Sequence, residues 1–335
     1  MNAENTGNKE PMQHLPILNA DTLAQLNFPY SRVLEVVEQA FRAIDHPDSN
    51  NPLKVIMTPQ DGHSIAYSMA GRDAGSQTVG FKVVYEFDPD RSRGSYQFYS
   101  FIFLCDDLTG QPLALMDVKQ LGPMRTSATS ALFAKAAATP DAKTALVVGS
   151  GEQGQIALPM LVTAMPQLSR LIVHGSYQAG VAAVQENVTS RFPEREVEVS
   201  SDLEAAVRDA DIILAVTGLS AKENIRHEWL KPGAVVILVG YGIEKDVLHK
   251  ADRVITTDEG QMKVTGDDLL DEQGQLPQVA ATLTEIIQQQ KPARSHKDEI
   301  IFAYNSGMII TDVALGRAVA EFAKGEDKMQ AAKLW

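Results

Sequence analysis

An apolar run that leads straight into three spaced glycines constrains this chain most. Thr144-Ala-Leu-Val-Val148 is followed by Gly149-Ser-Gly151-Glu152-Gln153-Gly154, and a helical pattern begins at once. Strand, G-x-G-x-x-G and helix in that order predict the first strand–turn–helix unit of a dinucleotide-binding sheet. Gly149 permits the tight turn, Gly151 lets a pyrophosphate approach the backbone, and Gly154 lets the helix pack on its strand. The helix N-terminus, with Glu152 and Gln153 in its first turn, offers unpaired N–H groups and a positive dipole end to phosphates.

From 144 to about 258, apolar runs alternate with amphipathic ones: TALVVGSG, LSRLIVHGS, EVEVSS, DIILAVTG, AVVILVG and DRVITTD read as strands with helices between. That alternation predicts an α/β, Rossmann-type, doubly wound parallel sheet. Residues 276–290 and 308–324 read as helices. The first 140 residues differ. A helix is expected over 31–45, with Ser31 as its N-cap, and strands over 53–60, 64–69, 79–87, 96–105 and 111–117. A small-residue helix over 123–138 is ended by Pro140. The expected division is a dinucleotide-binding domain, 131–307, beside an α+β substrate domain, 15–130 plus 308–335, with 1–14 as a flexible tail.

A length of 335 residues suits two domains. The net charge of −13 argues against nucleic acid and anionic membranes as partners, yet leaves room for a local basic pocket. The single cysteine, Cys105, lies in an apolar run and reads as a buried structural thiol in a reducing compartment. The polar start MNAENTGNKE lacks the apolar core of a signal peptide, and no apolar stretch is long enough to span a bilayer. These features point to a soluble, cytoplasmic chain. No metal is called for.

In such a sheet the end of the second strand meets the adenosine ribose, where an acid favours NAD and an arginine accommodates the 2′-phosphate of NADP. Here the strand ends Val173-His174-Gly175-Ser176, with neither. No carboxylate repels a phosphate, and His174, Ser176 and Tyr177 can donate hydrogen bonds, so the choice between NADP and NAD leans to NADP. Thr217 and Gly218 end the fourth strand and Gly240 the next; all three are expected near the nicotinamide.

Lys82, in GFKVVYEF, and Arg125, in PMRTSATSALFAKA, sit where an unpaired charge would be costly. A structural ion pair with Glu86, Asp106 or Asp117 would satisfy either alone. Together, beside a nucleotide domain, they suggest capture of a substrate carboxylate. The loop Asp88–Ser95 and the aromatic strand after it are expected to shape the pocket, with Tyr85, Gln97 and Tyr99 recognising a polar substrate group.

Several segments, in order, carry a resemblance: Gly80-Phe-Lys82; Leu104-Cys-Asp-Asp-Leu-Thr-Gly110-Gln-Pro-Leu-Ala-Leu-Met-Asp117; Met124-Arg125-Thr126-Ser-Ala-Thr-Ser130; the Gly149–Gly154 loop; and Asn305-Ser-Gly307 followed by Asp312. From about 50 to 325 the chain resembles the ornithine cyclodeaminase/mu-crystallin family. The resemblance implies a homodimer whose N-terminal part and last helix form a substrate and dimerisation domain. It implies hydride transfer at the Cα–N bond of an α-amino acid or imine, using NAD(H) or NADP(H). Lys82 matches the lysine that contacts the substrate near the reacting carbon, and Arg125 matches the arginine on its α-carboxylate. Lys54 falls where many members carry a second carboxylate-binding arginine, and Thr126 and Asn305 are expected at the cofactor. One departure matters: Gly242 stands where cyclodeaminases have a catalytic acid, with Glu244 nearby. An imine reductase or amino-acid dehydrogenase is therefore favoured over a cyclodeaminase, and over a non-enzymatic protein binding NADPH and a small ligand.

Overall fold

The computed structural model describes residues 14–88, 97–219, 221 and 223–333. Residues 1–13 of the expected tail, residues 89–95 of the expected pocket loop, and Tyr96 lie outside the described residues. In chain order the strands are β1 (His14–Leu18), β2 (Val55–Met57), β3 (Ser64–Asp73), β4 (Thr78–Phe87), β5 (Gln97–Asp106), β6 (Pro112–Asp117), β7 (Thr144–Val148), β8 (Arg170–His174), β9 (Val197–Val199), β10 (Ile212–Ala215), β11 (Val235–Leu238), β12 (Arg253–Thr256), β13 (Ala281–Thr282), β14 (Ile301–Tyr304) and β15 (Gln330–Lys333). The α-helices are α1 (Ala20–Gln25), α2 (Tyr30–Ala43), α3 (Leu121–Ala137), α4 (Glu152–Ala164), α5 (Gln178–Thr189), α6 (Leu203–Asp209), α7 (Lys245–His249), α8 (Glu259–Thr265), α9 (Leu283–Ile287) and α10 (Ile309–Gly325).

Strands β7–β14 form one parallel sheet in the order β9-β8-β7-β10-β11-β14-β12-β13. Its central strands are apolar on both faces, as a sheet covered on both sides requires. Ala145, Val147, Leu171, Val173, Ile212 and Leu214 join one core with Leu158 and Leu161 of α4. Leu146, Val148, Ile172, Ile213 and Ala215 join a second core with Val207 of α6 and Val247 of α7. The order reverses at β7, between β8 and β10, so a crevice opens at the carboxyl ends of these strands.

The other sheet runs β15-β1-β6-β5-β4-β3-β2, with β2 to β6 antiparallel in succession and β1 parallel to β6. Period-two alternation buries Val84, Ile102, Leu104, Ala114 and Met116 on one face, under α2, α3 and α10. The opposite face leaves Phe81, Val83, Tyr85, Tyr99 and Phe101 exposed. Helix α10 lies very close to the buried face. A Cβ at Gly80 would fall 2.5 Å from Val313 Cγ2, and one at Gly71 would fall 2.7 Å from Ile309 Cγ2.

Some local readings change. Helix α2 starts at Tyr30 with Pro29 at its N-cap and no side-chain cap, so Ser31 is inside the helix. The stretch 276–290 is not one helix: it holds the two-residue β13 and the short α9, which starts from a Thr282–Glu285 capping box. Strand β14, between β11 and β12, was hidden in a run of only four residues, too short for periodicity to distinguish it. Strands β1 and β15 were also unforeseen; they pair with each other across the length of the chain. The expected boundary at 130/131 falls inside α3, which packs on α2 and α10 as well as on α4. No helix among the described residues is long and apolar enough to cross a membrane.

The close seating of α10 gives a direct test. Gly80→Val should cost about 1–3 kcal/mol by overpacking, read as a lower urea midpoint at unchanged slope.

Candidate active site

Lys82 is on the buried face of β4, and Asp312 is in the first turn of α10, after Gly307, whose φ of +56° turns the chain into the helix. The tight packing of α10 on β4 brings Lys82 Nζ to 2.8 Å from Asp312 Oδ1. Arg125, in α3, donates from Nε to the same oxygen at 3.2 Å. Its Nη pair lies over Gly307, where a Cβ would come within 2.5 Å of Nη1. The side chains of Lys82 and Asp312 are only 6% and 2% exposed. Lys54, just before β2, donates from Nζ to the Ser306 carbonyl at 3.0 Å. Burial pushes Lys54 down to about 8, with Arg125 and Lys82 adding repulsion and Asp312 opposing them. Burial also lowers Lys82, against the pull of Asp312. Burial alone would raise Asp312, but Arg125 and Lys82 outweigh it and hold the carboxyl below its usual range. Two cations thus act on one carboxylate and a third, Lys54, stands beside them, a local excess of positive charge inside an acidic protein.

The parallel sheet supplies a neighbouring crevice of about 530 Å³, lined by Gly149, Gly151, His174, Ser176, Thr217 and Gly218 among others. Gly149 has φ +116°, and a Cβ there would meet the Val216 carbonyl oxygen at 2.8 Å. A Cβ on Gly154 would lie 2.0 Å from the Gly149 carbonyl oxygen, so α4 packs onto the turn only with glycine there. Gly151 faces open space at the N-terminus of α4. Thr217 Oγ1 and Asn305 Oδ1 are buried and find no hydrogen-bond partner among the described residues. Asn305 is fixed by its other side-chain atom, which donates to the Thr126 carbonyl at 3.0 Å and to Ser130 Oγ at 2.9 Å. An open glycine turn, a helix N-terminus and two unsatisfied polar atoms at strand ends fit a dinucleotide. At the ribose end, His174 Nδ1 bonds the Ser200 carbonyl at 3.0 Å, and Glu223, from the loop after β10, approaches Nε2 to 4.0 Å.

Among the sequence-derived candidates, Lys54, Lys82 and Arg125 come together, and Asn305, at the carboxyl end of β14, bonds Thr126 next to Arg125. Glu152 is exposed in the first turn of α4, 3.6 Å from Lys119, with Gln153 half-buried beside it, and Gly240 packs against the Thr217 carbonyl oxygen. Gln97 is not brought to the cluster. It pairs with Phe87 on the exposed face of the sheet, with Tyr85 and Tyr99, opposite Lys82. The anion for Lys82 and Arg125 is Asp312, not Glu86, Asp106 or Asp117. Asp106 binds Arg317 and Asp117 binds the Lys119 backbone. Asp312 could have been found by the reasoning applied to Lys82: it is the only charged residue between Glu299 and Arg317, in an apolar stretch. Gly242 has φ +108°, and a Cβ there would lie 2.7 Å from Thr217 Oγ1, so an acid at this position would be strained. Glu244 is exposed and accepts a hydrogen bond from Asn224 Nδ2 at 3.1 Å. Cys105 is half-buried, with its thiol pushed up by burial, unsuited to nucleophilic work.

The ion-pair geometry sets a stability test. Asp312→Ala strands the buried Lys82 and the half-buried Arg125 and should cost about 3–5 kcal/mol. The depressed carboxyl contributes stability above its unfolded value of about 3.9 that is lost as pH falls through the lower folded value. Chemical denaturation from pH 7 downward should therefore show a shallower acid dependence in the variant.

Comparison with known proteins bears on the family and the fold. The chain is 25% identical over 313 residues to an N-((2S)-2-amino-2-carboxyethyl)-L-glutamate dehydrogenase of Staphylococcus aureus, covering 89% of this chain and 92% of that one. It is 24% identical over 303 residues to a Delta(1)-pyrroline-2-carboxylate reductase of Bacillus cereus, covering 88% and 92%. Its fold superposes on an archaeal alanine dehydrogenase dimer with bound NAD at a TM-score of 0.81 and 21% identity, covering 96% of this chain and all of that one. The model of the ornithine cyclodeaminase/mu-crystallin family matches residues 17–327, and the chain belongs to that family.

Proposed function

We propose that this protein is an NAD(P)-dependent oxidoreductase that interconverts a ketimine carboxylate and the corresponding α-amino acid. The observation that carries the reading is the cluster of Lys54, Lys82 and Arg125 around Asp312, next to the glycine-turn crevice. One internal carboxylate leaves a positive excess that a substrate carboxylate would balance. The Nη pair of Arg125 offers a planar fork for that carboxylate, with Lys82 adding charge. A bound nicotinamide supplies or accepts the hydride. Gly149, Gly151 and the start of α4 would hold its pyrophosphate, and Thr217 and Asn305 would meet the other half. The activities of these relatives, on a cyclic imine carboxylate and on an N-substituted amino acid, support this class. Gly242 weighs against ring-closing deamination, because no acid stands there to handle the distal amine. The division into a cofactor half, about 131–307, and a substrate half from the rest is part of the same proposal.

We also propose a homodimer formed through the exposed face of the antiparallel sheet. In register, Val83 pairs with Phe101 and Tyr85 with Tyr99, leaving a continuous apolar and aromatic strip of the kind that marks an interface. Phe101→Asp should convert dimer to monomer in light scattering, and a wild-type monomer would refute the proposal.

Oxidation of NADPH and of NADH in parallel, on addition of pyrroline-2-carboxylate or an open-chain ketimine acid, tests the activity. Arg125→Ala should lower kcat/KM about 10–100-fold, the range for a hydrogen bond to a charged group, with cofactor affinity nearly unchanged by fluorescence titration. Wild-type activity in that variant would remove Arg125 from the carboxylate site.

A further inference from the structure

We propose that Lys54 is the proton-transfer group of this site, giving a proton to the imine nitrogen in reduction and taking it back in oxidation. The inference rests on the imine-reductase reading. Reducing C=N requires a hydride at carbon and a proton at nitrogen. The hydride and its electron pair come from a reduced nicotinamide, which is oxidised, so the protein or water must supply the proton. Lys54 passes one N–H proton to the imine nitrogen. The products are the amine and a neutral lysine, which regains its proton from water.

The other groups at the site are poorly suited. Arg125 does not release a proton. Lys82 directs its ammonium at Asp312, 2.8 Å away, with its side chain only 6% exposed, so it has little exchange with solvent. Position 242 carries no side chain, and the exposed Glu244 is bonded to Asn224.

Lys54 differs in its partner and in its exposure. Among the described residues its ammonium makes one hydrogen bond, to the neutral Ser306 carbonyl rather than to a carboxylate, and an ammonium has three donors. Two remain for substrate and solvent. The residue is half-buried and leads into β2, whose residues are all exposed, so it stands at the rim of the cluster. Ser306 lies between Asn305, which is tied to Thr126, and Gly307, which lies beneath Arg125. The anchor thus sets Lys54 at the carboxyl end of β14, beside the cations. The charged groups acting on it are Arg125 from α3, Lys82 from β4 and Asp312 from α10. Burial and the two cations bring its proton affinity down to about 8, near the working range of a general acid. The arginine that the resemblance leads one to expect here would be a permanent charge, whereas lysine can exchange its proton.

Lys54→Arg separates proton transfer from carboxylate binding. A proton donor replaced by arginine should lose kcat on the order of 100-fold, within the usual contribution of a general acid, while KM changes less than threefold. Added primary amines should partly restore kcat in Lys54→Ala. Independently of activity, the pH dependence of Lys54 labelling by a small amine reagent should give a midpoint near 8. Full kcat in Lys54→Arg, with activity extended to higher pH, would make Lys54 a carboxylate clamp and overturn the proposal. A labelling midpoint at the ordinary lysine value would overturn it too. Wild-type protein that reduces no imine would instead remove the functional reading on which the proposal rests.

Discussion

The buried contact of Lys82 and Arg125 with a single oxygen of Asp312 is the interaction on which the site depends. It ties the antiparallel sheet, the small-residue helix α3 and the last long helix together at one point. Removing charges from water is expensive, and a buried pair is weak evidence for stability by itself. Here the pair is also unbalanced. With Lys54 nearby, the site keeps more positive than negative charge, and this imbalance is what supports the proposed role of the cluster in holding a substrate carboxylate.

The geometry follows from close packing. Glycines at 71 and 80 allow α10 to sit directly on β3 and β4, which places Asp312 against Lys82. Glycines at 149 and 154 allow α4 to sit on its turn, which leaves backbone N–H groups free at the crevice. Asn305 links the two by bonding α3 from the end of β14. The cation cluster lies at the carboxyl end of the parallel sheet because β14, the strand least visible in the sequence, runs inside that sheet and leads into Asn305 and Ser306, which bond Thr126 and Lys54.

Much of this was legible from local pattern. The glycine turn names its own conformation, since Gly149 and Gly154 meet backbone atoms that no Cβ could approach. The alternating strands around it are apolar on both faces and announce a covered parallel sheet. Lys82 and Arg125 stood out because charge in an apolar run needs a partner. Less was legible where elements are short or capped without a side-chain signal, as at β13, β14 and the Pro29 start of α2. Gln97 was misplaced because alternation divides a strand into two faces without saying which is inward.

By itself, then, the sequence determined the doubly wound half, the dinucleotide turn and the identity of the buried cations, because each is written in spacings of a few residues. Tertiary structure alone decided which acid meets those cations, since Lys82 and Asp312 are 230 positions apart and nothing local couples them. It also decided that Gly242 has a backbone conformation hostile to the acid found in cyclodeaminases, and that Lys54 is held at the edge of the charge cluster. These are long-range contacts, set by how α10 and β14 pack against elements made much earlier in the chain.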